Sequence, residues 1–335
     1  MKIAFLINQM HIEKAHFTTT ILAYEAYLRG HEIYYIGLAD FVYAENNEVQ
    51  ANVRSINPTT HQFASKEEML THLYTCKKER LSMYDIDILW IRHDPVLDML
   101  NRPWAAAMGL QFAQLIKKMG KLVINDPDTL NDASNKLYLE NFHPSVRPKT
   151  LVTCNAEDIK KFLFDNGGKI IVKPLKGSGG KNVFLITQND LHNLKQIVEA
   201  ISRDGYVIAQ EYLPEAVKGD LRFFLLDGKP LIKNGKYAAV QRVQQAGEIR
   251  SNIHQGGEPQ AAVITDTTLD IIQKVGKQLH DDGMYFVGLD IVGDKILEIN
   301  VFSPGALVMA CNLTGEDFIT YILEDIERKV ATFYQ

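Results

Sequence analysis

No apolar run in this 335-residue chain approaches the roughly 18–20 residues that a membrane-spanning helix needs. Cysteine is scarce: Cys76, Cys154 and Cys311 are too far apart to form a disulfide framework or a metal motif. Positive charge is not in excess, and a net charge of −5 argues against nonspecific nucleic-acid binding. The opening residues, MKIAFLINQMHIEKAHF, lack the apolar core and small-residue cleavage site of a secretory signal. These absences predict a cytoplasmic protein with no nucleic-acid or membrane partner. No Gly-x-Gly-x-x-Gly follows the first strand, and no glycine loop ends in Gly-Lys-Ser/Thr before a helix. A dinucleotide fingerprint and a Walker loop are therefore both missing.

What is present reads as a globular chain of two or three modules, 46% hydrophobic and 23% charged. Lys2–Asn8 is a strand. A helix capped near Thr18–Thr20 stops at Gly30, and His31–Gly37 is a second strand. This β-α-β order predicts a parallel, Rossmann-like sheet. Ser65-x-x-Glu68 is a capping box for a helix running to about Met83. The strand Asp87–Arg92 ends in Arg92-His93-Asp94-Pro95, at the strand end where open α/β sheets bind ligands; a self-paired polar loop is the competing reading. A helix over about 105–119 and a strand over 121–126 follow. Lys136 then falls near the first turn of a further helix, where a cation is unfavourable unless an anion is close. It is either a phosphate ligand or an ordinary solvated lysine.

A second module opens near Val146-Arg147-Pro148. The strands Lys169–Leu175 and Val183–Thr187 flank a glycine-rich loop, Lys176-Gly177-Ser178-Gly179-Gly180-Lys181. Such a loop presents bare N–H groups to phosphate and closes as a lid, or it is merely a flexible connection. Lys173 lies in an apolar strand, where an ammonium is costly without an anion. Further on, Gln210-Glu211-Tyr212-Leu213 ends an apolar strand and suits an adenine slot read by backbone groups. Residues 241–257 are polar and aperiodic, either a mobile surface loop or one that closes over substrate.

Phe286–Leu307 reads as a hairpin followed by a Ser-Pro-Gly turn. A plain two-residue turn at Gly293-Asp294 would put Asp290 and Glu298 on opposite faces. A bulge or a three-residue turn pairs them directly. The apolar residues Leu289, Ile291, Leu297, Ile299 and Val301 share one face only in the second register. Asp290, Glu298 and Asn300 then form one oxygen-rich patch, suited to a hard cation such as Mg²⁺ or else a solvated acidic face.

Several of these segments occur together in one known family. IRHDP at 91–95, Asn-x-Lys at Lys136, KPLKGSGG at 173–180, AQEYLP at 209–214, GDLR at 219–222, QRVQQAGEIRSN at 241–252 and VGLDIVGDKILEIN at 287–300 appear in family order. By these the chain resembles the ATP-grasp ligases, and within them the prokaryotic-type glutathione synthetases. The resemblance implies an α/β ATP-grasp fold: an N-terminal Rossmann-like parallel-sheet domain (1–125), a small α+β lid (126–205) and a C-terminal α+β domain (206–335). It also implies an ADP-forming amide ligation through an acyl phosphate, joining a γ-glutamyl dipeptide to an amino acid. The alternatives are a related ligase with another acceptor, or a nucleotide-binding homologue without turnover.

By the same resemblance, ATP is held by Lys136, Lys173, Gly177–Gly180, Gln210–Leu213 and, at the ribose, Asp220. Two Mg²⁺ ions, for which Mn²⁺ can substitute, sit on Asp290, Glu298 and Asn300. Arg222, Arg242, Arg250 and Asn252 steady the acyl phosphate and substrate carboxylates. Arg92, Asp94, Ser303 and Gly305 contact substrate, His254 is a proton-transfer candidate, and a homo-oligomer is expected. The chain departs from the family at Phe302, where a hydroxyl is expected. Its Ser303-Pro304-Gly305 turn is similar to one in D-alanine–D-alanine ligases that holds the second substrate's carboxylate.

Overall fold

The computed structural model describes residues 1–99, 101–177, 179–203, 205–243 and 258–335. Ser178, Arg250, Asn252 and His254 lie outside them.

The first sheet contains β1 (Lys2–Ile7), β2 (Glu32–Gly37), β3 (Phe41–Tyr43), β4 (Val49–Ile56), β5 (Glu79–Ser82), β6 (Ile88–Ile91) and β7 (Leu122–Ile124). Its order is β3-β4-β2-β1-β6-β7, with β5 also on β4. β1 runs parallel to β2 and β6, and β6 parallel to β7, as the β-α-β reading predicts. The helix begun at Ser65 stops at Thr75, short of the expected Met83. Residues 79–82 instead pair antiparallel with β4, so strand pairing outweighs local helical preference there. Ser65 caps as expected by accepting from the Glu68 N–H, but the Glu68 carboxylate accepts from the Ala64 N–H rather than closing the box on Ser65.

The second sheet is formed by β8 (Thr150–Thr153), β9 (Lys169–Pro174), β10 (Phe184–Thr187) and β11 (Val207–Glu211), in the order β10-β9-β11-β8. Two helices, Ala156–Asp165 and Leu191–Ser202, cover it. Its core, with Ile159, Leu163, Val172, Val198 and Val207, is separate from the rest.

The third sheet has β12 (Asp220–Leu226), β13 (Lys229–Pro230), β16 (Ala239–Val243), β17 (Glu258–Ala261), β18 (Phe286–Val292) and β19 (Lys295–Asn300); β14 (Ile232–Lys233) and β15 (Lys236–Tyr237) form a small hairpin apart from it. The first and third sheets share two apolar cores. Leu89 and Ile91 cluster with Leu289 and Ile291 in one, and Phe5 and Trp90 with Phe286 and Phe224 in the other. The C-terminal helix Phe318–Phe333 reaches back to the first unit, where Glu327 binds Arg29 (2.7 Å) and His31 (2.7 Å). One buried side chain ties the end of the first sheet to the hairpin. Asn125 accepts from the Phe286 N–H (2.9 Å) and donates to the carbonyls of Phe286 (3.2 Å) and Val301 (2.5 Å).

Gly219, at φ +86°, opens β12 against β16, and a methyl group there would overlap the Arg242 carbonyl oxygen. Both the left-handed backbone and the close approach exclude a side chain. Gly219→Ala is expected to lower stability by about 2 kcal/mol or more, read as a fall in the urea midpoint. An unchanged midpoint would contradict the close approach.

Candidate functional site

The β18–β19 hairpin settles the register question. Val292 pairs with Lys295 across a two-residue turn, and a bulge between Asp290 and Ile291 brings Asp290 opposite Glu298. Gly288 lies opposite Asn300, so Asp290, Glu298 and Asn300 share a face. The Asn300 amide nitrogen lies 3.4 Å from an Asp290 oxygen. The bulge also corrects one expectation. Ile296, fully buried, sits opposite Ile291 in the core, while Leu297 is the extra residue and lines the cleft.

That cleft gathers Asp94, Lys136, Gly177, Glu298, Asn300 and Ser303. Lys136 opens a short 3-10 turn, Lys136–Asn141, capped by Asn135, rather than the longer helix expected. Its ammonium donates to the Gly177 carbonyl and lies 3.6 Å from Glu298. It thus bridges the glycine loop to the oxygen patch. Gly179 and Gly180 both adopt left-handed backbone, a conformation that glycine takes without strain. Asp94 caps the turn Pro95–Asp98 by accepting from the Val96 N–H (2.9 Å). Burial raises its pKa, and Glu298 across the cleft adds to the rise.

Lys173 donates to Gln210 Oε1 at 2.9 Å, and Gln210 Nε2 donates to Thr150. Burial, then the neighbouring Lys136, lowers the Lys173 pKa to about 8. The Gln210 side chain is therefore a support for Lys173. Glu211 is tied through both its N–H and its carboxylate to Lys149, and Tyr212 carries the Lys169 ammonium 3.7 Å from its ring centre.

Beside Glu298, across the neighbouring strands, lies a layer of alternating charge. In the strand registers Asp220 is opposite Arg242 and Arg222 is opposite Asp290. Arg222 grips Asp290 through Nε and Nη2, and Arg242 Nη2 reaches the same carboxylate at 2.9 Å. Arg242 also donates from Nε and Nη2 to the two oxygens of Asp220. All four side chains are between 4% and 9% exposed, so each charge depends on the others. The two guanidiniums outweigh the burial of Asp290 and hold its carboxyl below the ordinary carboxylate range. Arg222 Nη1 donates to the Gly305 carbonyl (3.2 Å), joining this layer to the Ser-Pro-Gly turn.

Asp220, expected at the ribose, is buried with both oxygens engaged by Arg242. Arg92, expected beside substrate, is 3% exposed and packs over the Trp90 and Phe286 rings, with Nε donating to Thr19. It points into the first unit because those rings give its flat cation an apolar bed. Residues not singled out from the sequence also shape the site. Asn8 holds the Asp94 backbone from both sides and donates to Asp98 (2.7 Å). His93 is fully buried beside Phe302, ring centres 5.3 Å apart, and burial lowers its pKa to about 4. A polar residue ending an apolar strand, as in Ile7-Asn8 and Ile124-Asn125, was the available signal.

The donors are two carboxylates and an amide oxygen, the hard-ligand set that a Mg²⁺-sized cation takes when phosphate completes the shell. Glu298 opens to the cleft. Among the described residues no three His, Cys, Asp or Glu side chains gather into a metal cluster by themselves, so Asn300 and a ligand's oxygens are needed.

Comparison with known proteins places these features in a family. Residues 1–131 match the model of the prokaryotic glutathione synthetase N-terminal domain, and 135–314 match that of its ATP-grasp domain. The chain is similar to the glutathione synthetase of Salmonella typhimurium, at 33% identity over 301 residues, 88% of this chain and 87% of that protein. The glutathione synthetase of Agrobacterium fabrum is 32% identical over 279 residues, covering 82% of each. Among solved structures, the D-cycloserine synthetase DcsG has a TM-score of 0.62 at 15% identity, covering 96% of this chain and 99% of that one. D-alanyl-alanine synthetase A of Vibrio cholerae has a TM-score of 0.59 at 11% identity, covering 98% of each.

The buried layer predicts unequal costs for the two carboxylates. Asp290→Ala leaves two guanidiniums short of their counter-charge and is expected to cost about 3–5 kcal/mol. Glu298→Ala, at a partly exposed pair, is expected to cost about 1 kcal/mol or less. Urea unfolding of the two variants side by side checks this, and equal losses would contradict the layer.

Proposed function

The chain belongs to the prokaryotic glutathione synthetase family of ATP-dependent ligases with the ATP-grasp fold, and from that premise we propose that it joins γ-glutamylcysteine to glycine while converting ATP to ADP and phosphate. The observation that carries this reading is the convergence of Lys136, Glu298, Asn300 and Gly177 on one cleft, beside Asp290 and the two arginines that hold it.

The chemical difficulty is charge, because a carboxylate must approach a polyphosphate. Lys136 and Lys173 bind phosphate oxygens, and the amides of the loop at Gly177–Gly180 cover them. Asp290, Glu298 and Asn300 hold the divalent cation, which neutralises phosphate charge when bound. The donor carboxylate oxygen bonds to the γ-phosphorus, the bridging P–O bond breaks, and ADP leaves. Arg222 and Arg242 face the acyl phosphate, where planar forks suit its oxygens. The acceptor nitrogen then bonds to the acyl carbon, the C–O bond to phosphate breaks, and the amine loses its proton. Ser303 and Gly305 hold the acceptor's carboxylate at the turn that Arg222 braces. No enzyme nucleophile is required.

A second reading keeps the chemistry and changes the acceptor. Phe302, 9% exposed and edge-on to His93, stands where the family has a hydroxyl. This gives the acceptor end an apolar wall, which favours an amino acid or amine other than glycine. A coupled ADP-release assay across donor and acceptor pairs decides between the two. Glycine is the acceptor when γ-glutamylcysteine plus glycine far exceeds either alone, and a stronger response to another amine gives the second reading. Glu298→Ala is expected to abolish ADP formation with every pair, and unchanged turnover would sink the metal assignment.

Lys173 makes nucleotide binding depend on pH. Its pKa is lowered below the unfolded value, so folding disfavours its charged form and the folded protein gains stability between about pH 8 and about pH 10.5. Phosphate binding needs the charged form. ATP affinity is therefore expected to be full below about pH 8 and to fall as pH rises through it, with proton uptake on binding near that pH. Calorimetric titration in buffers of different ionisation heat measures the proton. No proton uptake in the wild type, or the same uptake in Lys173→Gln, would remove Lys173 from the phosphate site.

A further inference from the structure

We propose that a pocket in the first unit, outside the ATP cleft, binds a small dicarboxylate through Arg54, Lys14 and the Tyr35 hydroxyl. The proposal goes beyond the ligase reading and does not depend on it.

The pocket lies at the carboxyl ends of β1 and β2, the edge of an open α/β sheet at which ligands bind. Its volume is about 500 Å³, within the span of roughly 300–1,000 Å³ that small-molecule sites occupy. No residue that lines it also lines the cleft at Asp94, Lys136 and Glu298. Asn8 and Arg102 line the pocket and are bonded to the 94–98 turn, which lines the cleft. Asn8 holds the Asp94 backbone from both sides, and Arg102 grips Asp98 and donates to the Asn8 carbonyl (3.2 Å). These bonds make the turn a wall shared by pocket and cleft.

Charge sets the ligand's class. Lys78 is paired with Asp40 (2.5 Å) and Arg102 with Asp98 (2.7 Å). Lys14 and Arg54 have no ion pair among the described residues, so two positive charges are left over. Glu13 acts on Tyr35 from behind, but it is not a lining residue and has the Arg92 guanidinium beside it. Arg54 is half-buried, and its Nε is shut off from water and bonded to nothing. Tyr35, directly opposite Arg54 in the β2–β4 register, is 2% exposed, and its hydroxyl is also buried and unbonded. Opposed residues of a ladder project to one face, so the two donors are neighbours over the same pocket. Buried donors without partners are rare, and a carboxylate in the pocket satisfies both. The planar fork of Arg54 suits that group. Lys14, exposed at the rim, meets a second carboxylate at the mouth. Ile7, Met10 and Tyr74 supply carbon surface for the skeleton between them. Two sources share this chemistry: a free dicarboxylic acid, and a γ-glutamyl peptide, which carries a carboxylate at each end.

Calorimetric titration of the full chain with glutarate and with glutathione tests this, in the presence of saturating β,γ-imido-ATP and Mg²⁺ and without them. Binding to the wild type at one site per chain is expected to survive the nucleotide within about twofold. It should weaken about tenfold or more in Arg54→Gln and about fivefold in Tyr35→Phe. A site that takes glutarate alone supports the proposal with the free acid as the source. A site that takes glutathione, with the same losses in both variants, supports it with the peptide as the source. Binding of neither probe, equal binding in wild type and Arg54→Gln, or loss of binding when nucleotide fills the cleft overturns it. Should Arg54→Gln fail to fold, Lys14→Gln, at an exposed position, replaces it and is expected to weaken binding about fivefold. In turnover assays Arg54→Gln is expected to keep the donor KM within about twofold of the wild type. A tenfold rise would make the pocket the donor's own seat and overturn a separate site. A wild type without turnover defeats the ligase reading, and the binding measurements still decide this inference.

Discussion

A charge buried among strands must have a counter-charge, and this chain meets that requirement for two carboxylates and two guanidiniums in one place. Asp220, Arg222, Arg242 and Asp290 neutralise one another across three neighbouring strands. The arrangement needs β12 in the middle, with Arg222 facing Asp290 on one side and Asp220 facing Arg242 on the other. Breaking one pair leaves charge in a place where water cannot repair it. Glu298 and Asn300 are held beside Asp290 by the hairpin, and the Ser-Pro-Gly turn is held by Arg222. A stable floor and a reactive surface are therefore built from the same groups.

Much of this was legible in the sequence because strands alternate. Alternation of apolar and polar residues over 289–301 placed Asp290, Glu298 and Asn300 on one face, and the bulge this required is present. Alternation alone did not say which residue the bulge would expel, so Leu297 was assigned to a core position that Ile296 fills. Local patterns were weakest where a distant partner decides the outcome. Residues 79–82 continue a helical pattern but pair with β4. Arg92 has the chemistry of a substrate ligand, yet its place is set by Trp90 and Phe286, the second of which lies far along the chain. Val207–Glu211 opens the third module when read locally, yet it is hydrogen-bonded between β8 and β9. Side-chain pairing of Asp220 with Arg242 depends on a register between strands separated by a hairpin, and no short motif encodes it.

The cores divide the molecule in a way that suits two-substrate chemistry. The first and third sheets share their apolar clusters, so the donor-facing strand ends and the oxygen patch are parts of one packed body. The second sheet packs on its own helices. It brings Lys176 and Gly177 to the cleft, and Lys136 spans the junction by touching both Gly177 and Glu298. In the proposed reading, a nucleotide's phosphates would meet groups from both bodies and would join them.

The Asn125 side chain has a mechanical consequence. It clasps the amide and carbonyl of Phe286 and the carbonyl of Val301, the residues at which the hairpin enters β18 and leaves β19. The hairpin is thereby pinned at its open end, while its tight turn points away. The oxygen patch is therefore joined to the end of the first sheet by three hydrogen bonds from one side chain. The covalent crossings into the second sheet, before β8 and after β11, are not part of that clasp. The oxygen patch is thus fixed to the first sheet, whereas the glycine loop belongs to a second sheet that packs on its own helices.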